Sequence, residues 1–177
     1  FSGLLFAGGP DAHEHGHDIP PRSTQVKFIQ NQNQFEEVIR YKAALPGGWL
    51  FLEDASLTYA FWDTDNLHDR FFHTERERDE LGLAIDCHAL KVGFVGANEH
   101  PALSEQNKAV EYHNYFIGSD ETKWAGGVPL FGGIRYHELY DGIDMQFLGM
   151  DGSVKYEFYV SPDADPSIIQ MNYDGPE

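Results

Sequence analysis

Residues 113–166, HNYFIGSDETKWAGGVPLFGGIRYHELYDGIDMQFLGMDGSVKYEFYVSPDADP, decide the fold. Near the middle, Asp151-Gly152 has the composition of a two-residue turn, because Gly tolerates the positive φ that matches the twist of paired strands. Closing a hairpin there sets Phe147 opposite Tyr156, Met145 opposite Phe158 and Ile143 opposite Val160. Side chains alternate along a strand, so these pairs share one face. The other face receives Leu148 with Lys155, Gln146 with Glu157 and Asp144 with Tyr159, a mostly polar set. A slip of one residue would exchange the faces, so turn and pattern specify the same register. The stretch predicts an amphipathic hairpin laid over a core.

Working outward, short apolar runs broken by turns continue in both directions. Val38–Lys42 and Trp49–Glu53 read as strands joined through Pro46-Gly47-Gly48, and Leu57–Trp62 follows the Asp54-Ala55-Ser56 connection. Residues 87–95, CHALKVGFV, alternate again; GANEHPALSEQN after them is turn-rich, and Glu111–Ile117 is the next strand. Trp124 with the following Gly-Gly-Val-Pro reads as a packed loop that plugs the core. Ile134–Leu139 precedes the hairpin, SPDADPS forms a Pro-bounded turn, and Ile168–Tyr173 makes a last strand. About nine to eleven strands and at most one or two short helices predict an all-β fold, an antiparallel β-sandwich with long loops.

Composition agrees. Aromatic residues reach 14%, and Phe and Tyr suit pleated, half-buried surfaces. Eighteen Gly and nine Pro among 177 residues punctuate many turns. A formal charge of −17 argues against a nucleic-acid partner, since neutralising phosphates needs clustered Lys and Arg, and disfavours anionic membrane. No run reaches the roughly 18 apolar residues of a membrane span. The single cysteine, Cys87, forms no intrachain disulfide. Its neighbour His88 points to the opposite face of a strand, so a Cys/His pair does not form, and Cys87 is expected as a small buried hydrophobe.

Residues 1–25 differ from the rest. FSGLLFAGG resembles the end of a secretory signal, an apolar run followed by small residues. DAHEHGHDIPP then brings His13, His15 and His17, imidazoles suited to zinc, copper or nickel but set in a Gly- and Pro-flanked linker without preformed geometry. The folded domain is expected over 26–177, as part of a longer domain. Residues 63–86 are charged, with a short helix expected from Thr74 to Leu81. There Asp63, Asp65, Asn66 and Asp69 resemble part of a calcium loop, but His68 stands where the sharp turn needs Gly and Thr74 where the closing Glu belongs. Asp141, Asp144 and the turn Asp163–Asp165 are further candidates for a structural Ca²⁺. No other cofactor is expected.

The runs VKFIQNQNQF, RYKAALPGGWLFLE, LTYAFWD, HALKVGFVGAN, YHNYFIGSDETKWAGGVPLFGGIRYHELYDGIDMQF and YEFYVSPDADPSIIQMNYDG carry a resemblance. Together they are similar to an uncharacterised β-rich domain near the N-terminus of large secreted Bacteroidota proteins. Such proteins carry SBBP (β-propeller-type) or PKD-like repeats, other adhesin domains, and C-terminal gliding-motility or type IX secretion sorting signals. The chain departs from the family pattern in its turns, at Asn31-Gln32-Asn33-Gln34, Asp141-Gly142 and Pro162-Asp163-Ala164-Asp165, where Asn and Asp are tolerated. The resemblance implies no catalytic residues.

Three function classes follow. The first is a non-enzymatic structural and interaction module of an exported cell-surface or appendage protein, its partners being other domains of the same polypeptide or neighbouring subunits. The second is carbohydrate binding on an aromatic platform, with Trp49, Trp62, Trp124 and Tyr140 as candidates; an exposed ring favours it and a buried one disfavours it. The third is a glycoside hydrolase-like enzyme drawing paired carboxylates from Glu111, Asp120, Asp141 and Asp144.

Overall fold

The hairpin forms in the expected register in a computed structural model that describes residues 25–62, 87–116 and 118–175. Ile143 pairs with Val160, Met145 with Phe158 and Phe147 with Tyr156, without a bulge. Gly152 takes φ +65°, and the Met150 amide donates to the Ser153 carbonyl at 2.8 Å, closing the turn. Ile143, Met145 and Phe147 are fully buried, as the alternation requires.

Ten strands follow in chain order. They are β1 (Phe28–Gln30), β2 (Tyr41–Leu45), β3 (Gly48–Leu52), β4 (Ser56–Trp62), β5 (Cys87–Phe94), β6 (Ala102–Tyr115), β7 (Ala125–Tyr140), β8 (Ile143–Gly149), β9 (Val154–Val160) and β10 (Met171–Asp174). All pairings are antiparallel. The strands form one sheet in the order β10-β5-β4-β3-β2-β1-β7-β8-β9, with β6 on the other edge of β7. The sheet is not closed into a barrel. Among the described residues there is no α-helix, only 3-10 turns at Glu121–Lys123 and Pro166–Ile168.

A sandwich arises because β7 belongs to two layers. One edge of β7 carries β6; the other pairs first with β1, at Leu130 and Phe131, and then with β8 from Gly133 onward. The sheet folds over along this strand, so that Leu50, Leu52, Leu57, Val92 and Phe94 of β3–β5 share one core with Ile134, Tyr136, Ile143, Met145 and Phe147 of β7 and β8. These strands are not sheet neighbours, so they meet face to face. The buried Tyr136 hydroxyl ties the layers, donating to the Glu53 carbonyl at 2.7 Å. A smaller apolar cluster on the outer side joins Ile29, Ala125, Val128 and Leu130 to Phe35 and Tyr115. Asn31 folds the Phe35 loop over it: its amide donates to the Ile39 carbonyl at 2.7 Å, and its side-chain oxygen accepts from the Asn33 and Phe35 amides.

Several boundaries differ from expectation. The turn-rich reading of residues 96–107 fails from Ala102, where the long β6 begins, and the Gly-Gly-Val-Pro loop is the first part of β7. Pro129 is tolerated because β7 has only β6 beside it there; the β1 pairing starts at Leu130. The early strand starts at Tyr41 rather than Val38, and the last at Met171, Ile168 being in the preceding 3-10 turn. Cys87 is exposed, not buried, at the start of β5. The expected helix Thr74–Leu81, the Asp63–Asp69 stretch and His13, His15 and His17 lie outside the described residues.

Candidate functional site

The outer face of β2–β4 carries an aromatic surface. Lys42, Trp49, Phe51 and Trp62 alternate with the core positions Tyr41, Leu50, Leu52 and Leu57, so they face away from the core. The Trp49 and Trp62 rings meet edge to face with centroids 6.0 Å apart. Lys42 Nζ lies 3.7 Å from the centre of the Trp49 ring, with Phe35 at 5.1 Å and Phe51 at 5.5 Å. Burial among these rings lowers the Lys42 pKa, while their negative faces favour the cation. One face of Trp49 is thereby covered. Trp62 is half-buried.

The other aromatic candidates separate. Trp124 is exposed rather than a core plug; it meets Phe116 edge to face at 5.9 Å, and its indole N–H donates to the Gly118 carbonyl at 3.3 Å. Tyr140 is buried in the main core, its hydroxyl donating to the Gln170 carbonyl at 3.0 Å, so its ring offers no platform.

On the outer face of the second layer, Asp144 organises a polar network. Its carboxylate accepts from Arg135 Nε at 2.9 Å and from the Glu138 amide at 2.8 Å, with His137 Nδ1 at 3.4 Å. The Glu138 contact holds a β7 bulge, where Glu138 adopts φ +50° and its own carboxylate accepts from the Gly142 amide. Burial pushes the Asp144 carboxyl up, but the Glu138 amide and the Arg135 guanidinium outweigh it and hold its pKa below the usual carboxylate range. Arg135 also stacks on Tyr159, 4.4 Å from the ring centre.

This network contains a serine, histidine and carboxylate in series, because Ser104 Oγ lies 2.7 Å from His137 Nε2. The order matches that of a nucleophilic triad, yet the surroundings do not complete one. Ser104 and His137 sit on the outward face of paired strands. A cleft of about 560 Å³ opens elsewhere, among Asn31, Phe35, Ile39, Tyr41 and Lys123. Asp144 spends its oxygens on Arg135 and a backbone amide, which fixes the bulge rather than the imidazole.

Glu111 pairs with Lys27 at 2.9 Å, Asp120 and Asp165 cap the 3-10 turns by accepting from the Thr122 and Ser167 amides, and Asp141 is exposed in the β7–β8 turn. Among the described residues no group of three or more His, Cys, Asp or Glu side chains converges as a metal site, so Asp141 and Asp144 are not joined by further ligands. Sequence reasoning missed Ser104, Arg135 and His137. Their signal was the outward alternation of Arg135 and His137 in β7, next to an Asp just past the turn.

What the described residues offer most plainly is free sheet edge. β6, β9 and β10 each pair on one side only. Along β6 and just beyond it, Val110 is 99% exposed and Tyr112 and Phe116 are each 62% exposed. On β9, Tyr156, Tyr159 and Val160 are exposed as well.

These features define an antiparallel, sandwich-like β domain with open edges. A family model described as a domain of unknown function (DUF7948) matches residues 28–177, and the chain belongs to that family. No curated protein and no solved structure matches the chain.

Proposed function

We propose that this domain is a non-catalytic structural and interaction module near the N-terminal end of a large exported Bacteroidota protein, one that reaches the outer cell surface or an appendage through a type IX secretion or gliding-motility route. Its work is adhesion, assembly or docking. The observation that carries the reading is the set of open sheet edges with large apolar side chains exposed along them, on β6 and β9 above all. An unpaired edge presents a row of main-chain donors and acceptors to a strand of another domain or subunit, and adjacent apolar side chains add area.

The test is the mass and assembly state of the native protein released from the cell surface. The reading expects a much larger polypeptide within a complex or filament, removed by protease treatment of intact cells. A free, monodisperse species of about the 20.0 kDa of this chain would overturn it.

A second reading, carbohydrate binding, draws on the Trp49–Trp62 pair, which faces away from the core. It requires binding on a glycan array that Trp62→Ala abolishes. Its weakness is that Lys42 already occupies one face of Trp49.

A further inference from the structure

The edge of β9 is complementary to itself in sequence. The ladder between β8 and β9 is continuous from Ile143–Val160 to Gly149–Val154. At one end the Ser153 carbonyl accepts from the Met150 amide, and at the other the Ser161 amide donates to the Gly142 carbonyl. In an antiparallel ladder the residues that bond to the neighbour alternate with residues that do not. Lys155, Glu157 and Tyr159 therefore spend their main-chain groups on β8. The amides and carbonyls of Val154, Tyr156, Phe158 and Val160 point outward, and no described strand meets them.

Pairing this edge with a second copy about a twofold axis allows only registers in which outward-pointing residues face each other. Centring the axis on Tyr156 sets Val154 against Phe158 of the other copy and forms roughly six main-chain hydrogen bonds. It also sets Lys155 against Glu157 of the other copy, twice, in the closely spaced, non-hydrogen-bonded positions where side chains interact most. Moving the axis to Lys155 or Glu157 would put like charges opposite each other. Lys155 and Glu157 already pair within one strand at 2.7 Å, so a dimer closes a ring of alternating charges. On the opposite face the twofold brings two Tyr156 rings together. Each is now 45% exposed although it lies on the core side, edge to face with Phe158 at 6.0 Å.

We infer that β9 is a homotypic docking edge, at which two copies of this chain pair antiparallel about Tyr156 into one continuous sheet. This inference rests on the interaction-module reading and names the partner for one of its edges. A single short strand pair buries less than a standard interface, so the association is weak and reversible, and gains strength where copies are held close together.

The experiment is sedimentation velocity on the full chain, from on the order of ten micromolar to a millimolar. It compares the parent, Lys155→Glu, Glu157→Lys and an equal mixture of the two variants. The parent is expected to form a reversible dimer. Each variant places like charges opposite each other and raises the dissociation constant about tenfold or more. The mixture restores association, because one variant then offers two glutamates on its edge to the two lysines on the edge of the other. In parallel, amide exchange on the parent is expected to slow at Val154, Tyr156 and Phe158 as concentration rises, a readout that needs no variant. A parent that is monomeric throughout, variants that associate like the parent, or a mixture that fails to associate would each overturn the inference. A monomer here leaves the mass of the native surface complex to decide the broader reading separately.

Discussion

Replacing Tyr136 by Phe removes one oxygen atom from the interior and leaves the ring in place. Tyr136 is fully buried on β7, edge to face with Phe147 at 5.7 Å, and its hydroxyl donates to the Glu53 carbonyl at the end of β3, in the opposite layer. Burial, with the nearby Asp54 and Tyr41, pushes the phenol far above its ordinary pKa, so it is a donor at every working pH. Phe keeps the apolar contacts but forfeits the hydrogen bond, and it strands the Glu53 carbonyl without a donor in a place water does not reach. A stranded buried acceptor costs about 1–3 kcal/mol. We expect Tyr136→Phe to lose about 2 kcal/mol, which lowers Tm by about 4–8 °C in a domain of this size. Urea denaturation followed by tryptophan fluorescence should show a lower midpoint with unchanged slope. The control is Tyr41→Phe, whose hydroxyl donates to the exposed Glu105 carboxylate; water can replace it, and the loss should stay below about 1 kcal/mol. If Tyr136→Phe lies within about 0.5 kcal/mol of the parent, or no further from it than Tyr41→Phe, the layers are not tied in this way.

Further predictions concern the bulge, a crossing point and the exposed edge. Asp144→Ala should cost about 2 kcal/mol at neutral pH by releasing Arg135 and the Glu138 amide. Because the folded-state pKa of Asp144 is depressed, its contribution is complete above the ordinary carboxylate range and is lost as pH falls through the depressed value; the gap between parent and variant should therefore narrow in acid melts. Gly149→Ala would drive a Cβ into the Val26 carbonyl oxygen, parting the chain just before β1 from the end of β8. It should cost about 3 kcal/mol or more, read as loss of soluble folded protein. Val110→Thr, at a fully exposed β6 position, should leave thermal stability within about 0.5 kcal/mol of the parent; a larger loss would mean that Val110 is covered.

The hairpin was legible residue by residue because two independent signals, Asp151-Gly152 and the alternation of Ile143, Met145 and Phe147, agree on one register. The first half of β6 was not. Its Ser104-Glu105-Gln106-Asn107-Lys108 run is polar on both faces, since β6 is an edge strand with little of either face in the core, so no period marks it. The start of β7 was hidden by Gly126 and Gly127, which read as a turn, and by Pro129, which a strand tolerates where one flank is free; that flank is a fact of topology rather than of local sequence. The same holds for the sites. Tyr140 reads as an aromatic beside a turn, and only the distant Gln170 shows that it is a buried hydroxyl anchor. Asp144 reads as a turn carboxylate open to a cation, yet the β7 bulge delivers a backbone amide and Arg135 to it. The open edges were not legible, because which strands end a sheet depends on pairings between remote segments.

The strand shared by both layers also constrains the order in which the chain can fold. As the polypeptide emerges from the ribosome, β1 to β5 are complete long before β7, yet among the described residues the face that carries Leu50, Leu52, Leu57 and Val92 is covered by Ile134 to Phe147, which arrive late. Phe28 must likewise wait for Phe131. Such dependence on late, remote contacts slows folding and lengthens the time in which an apolar sheet face stands bare. A nascent chain with this topology therefore stays open to aggregation until the second half of its sequence is available.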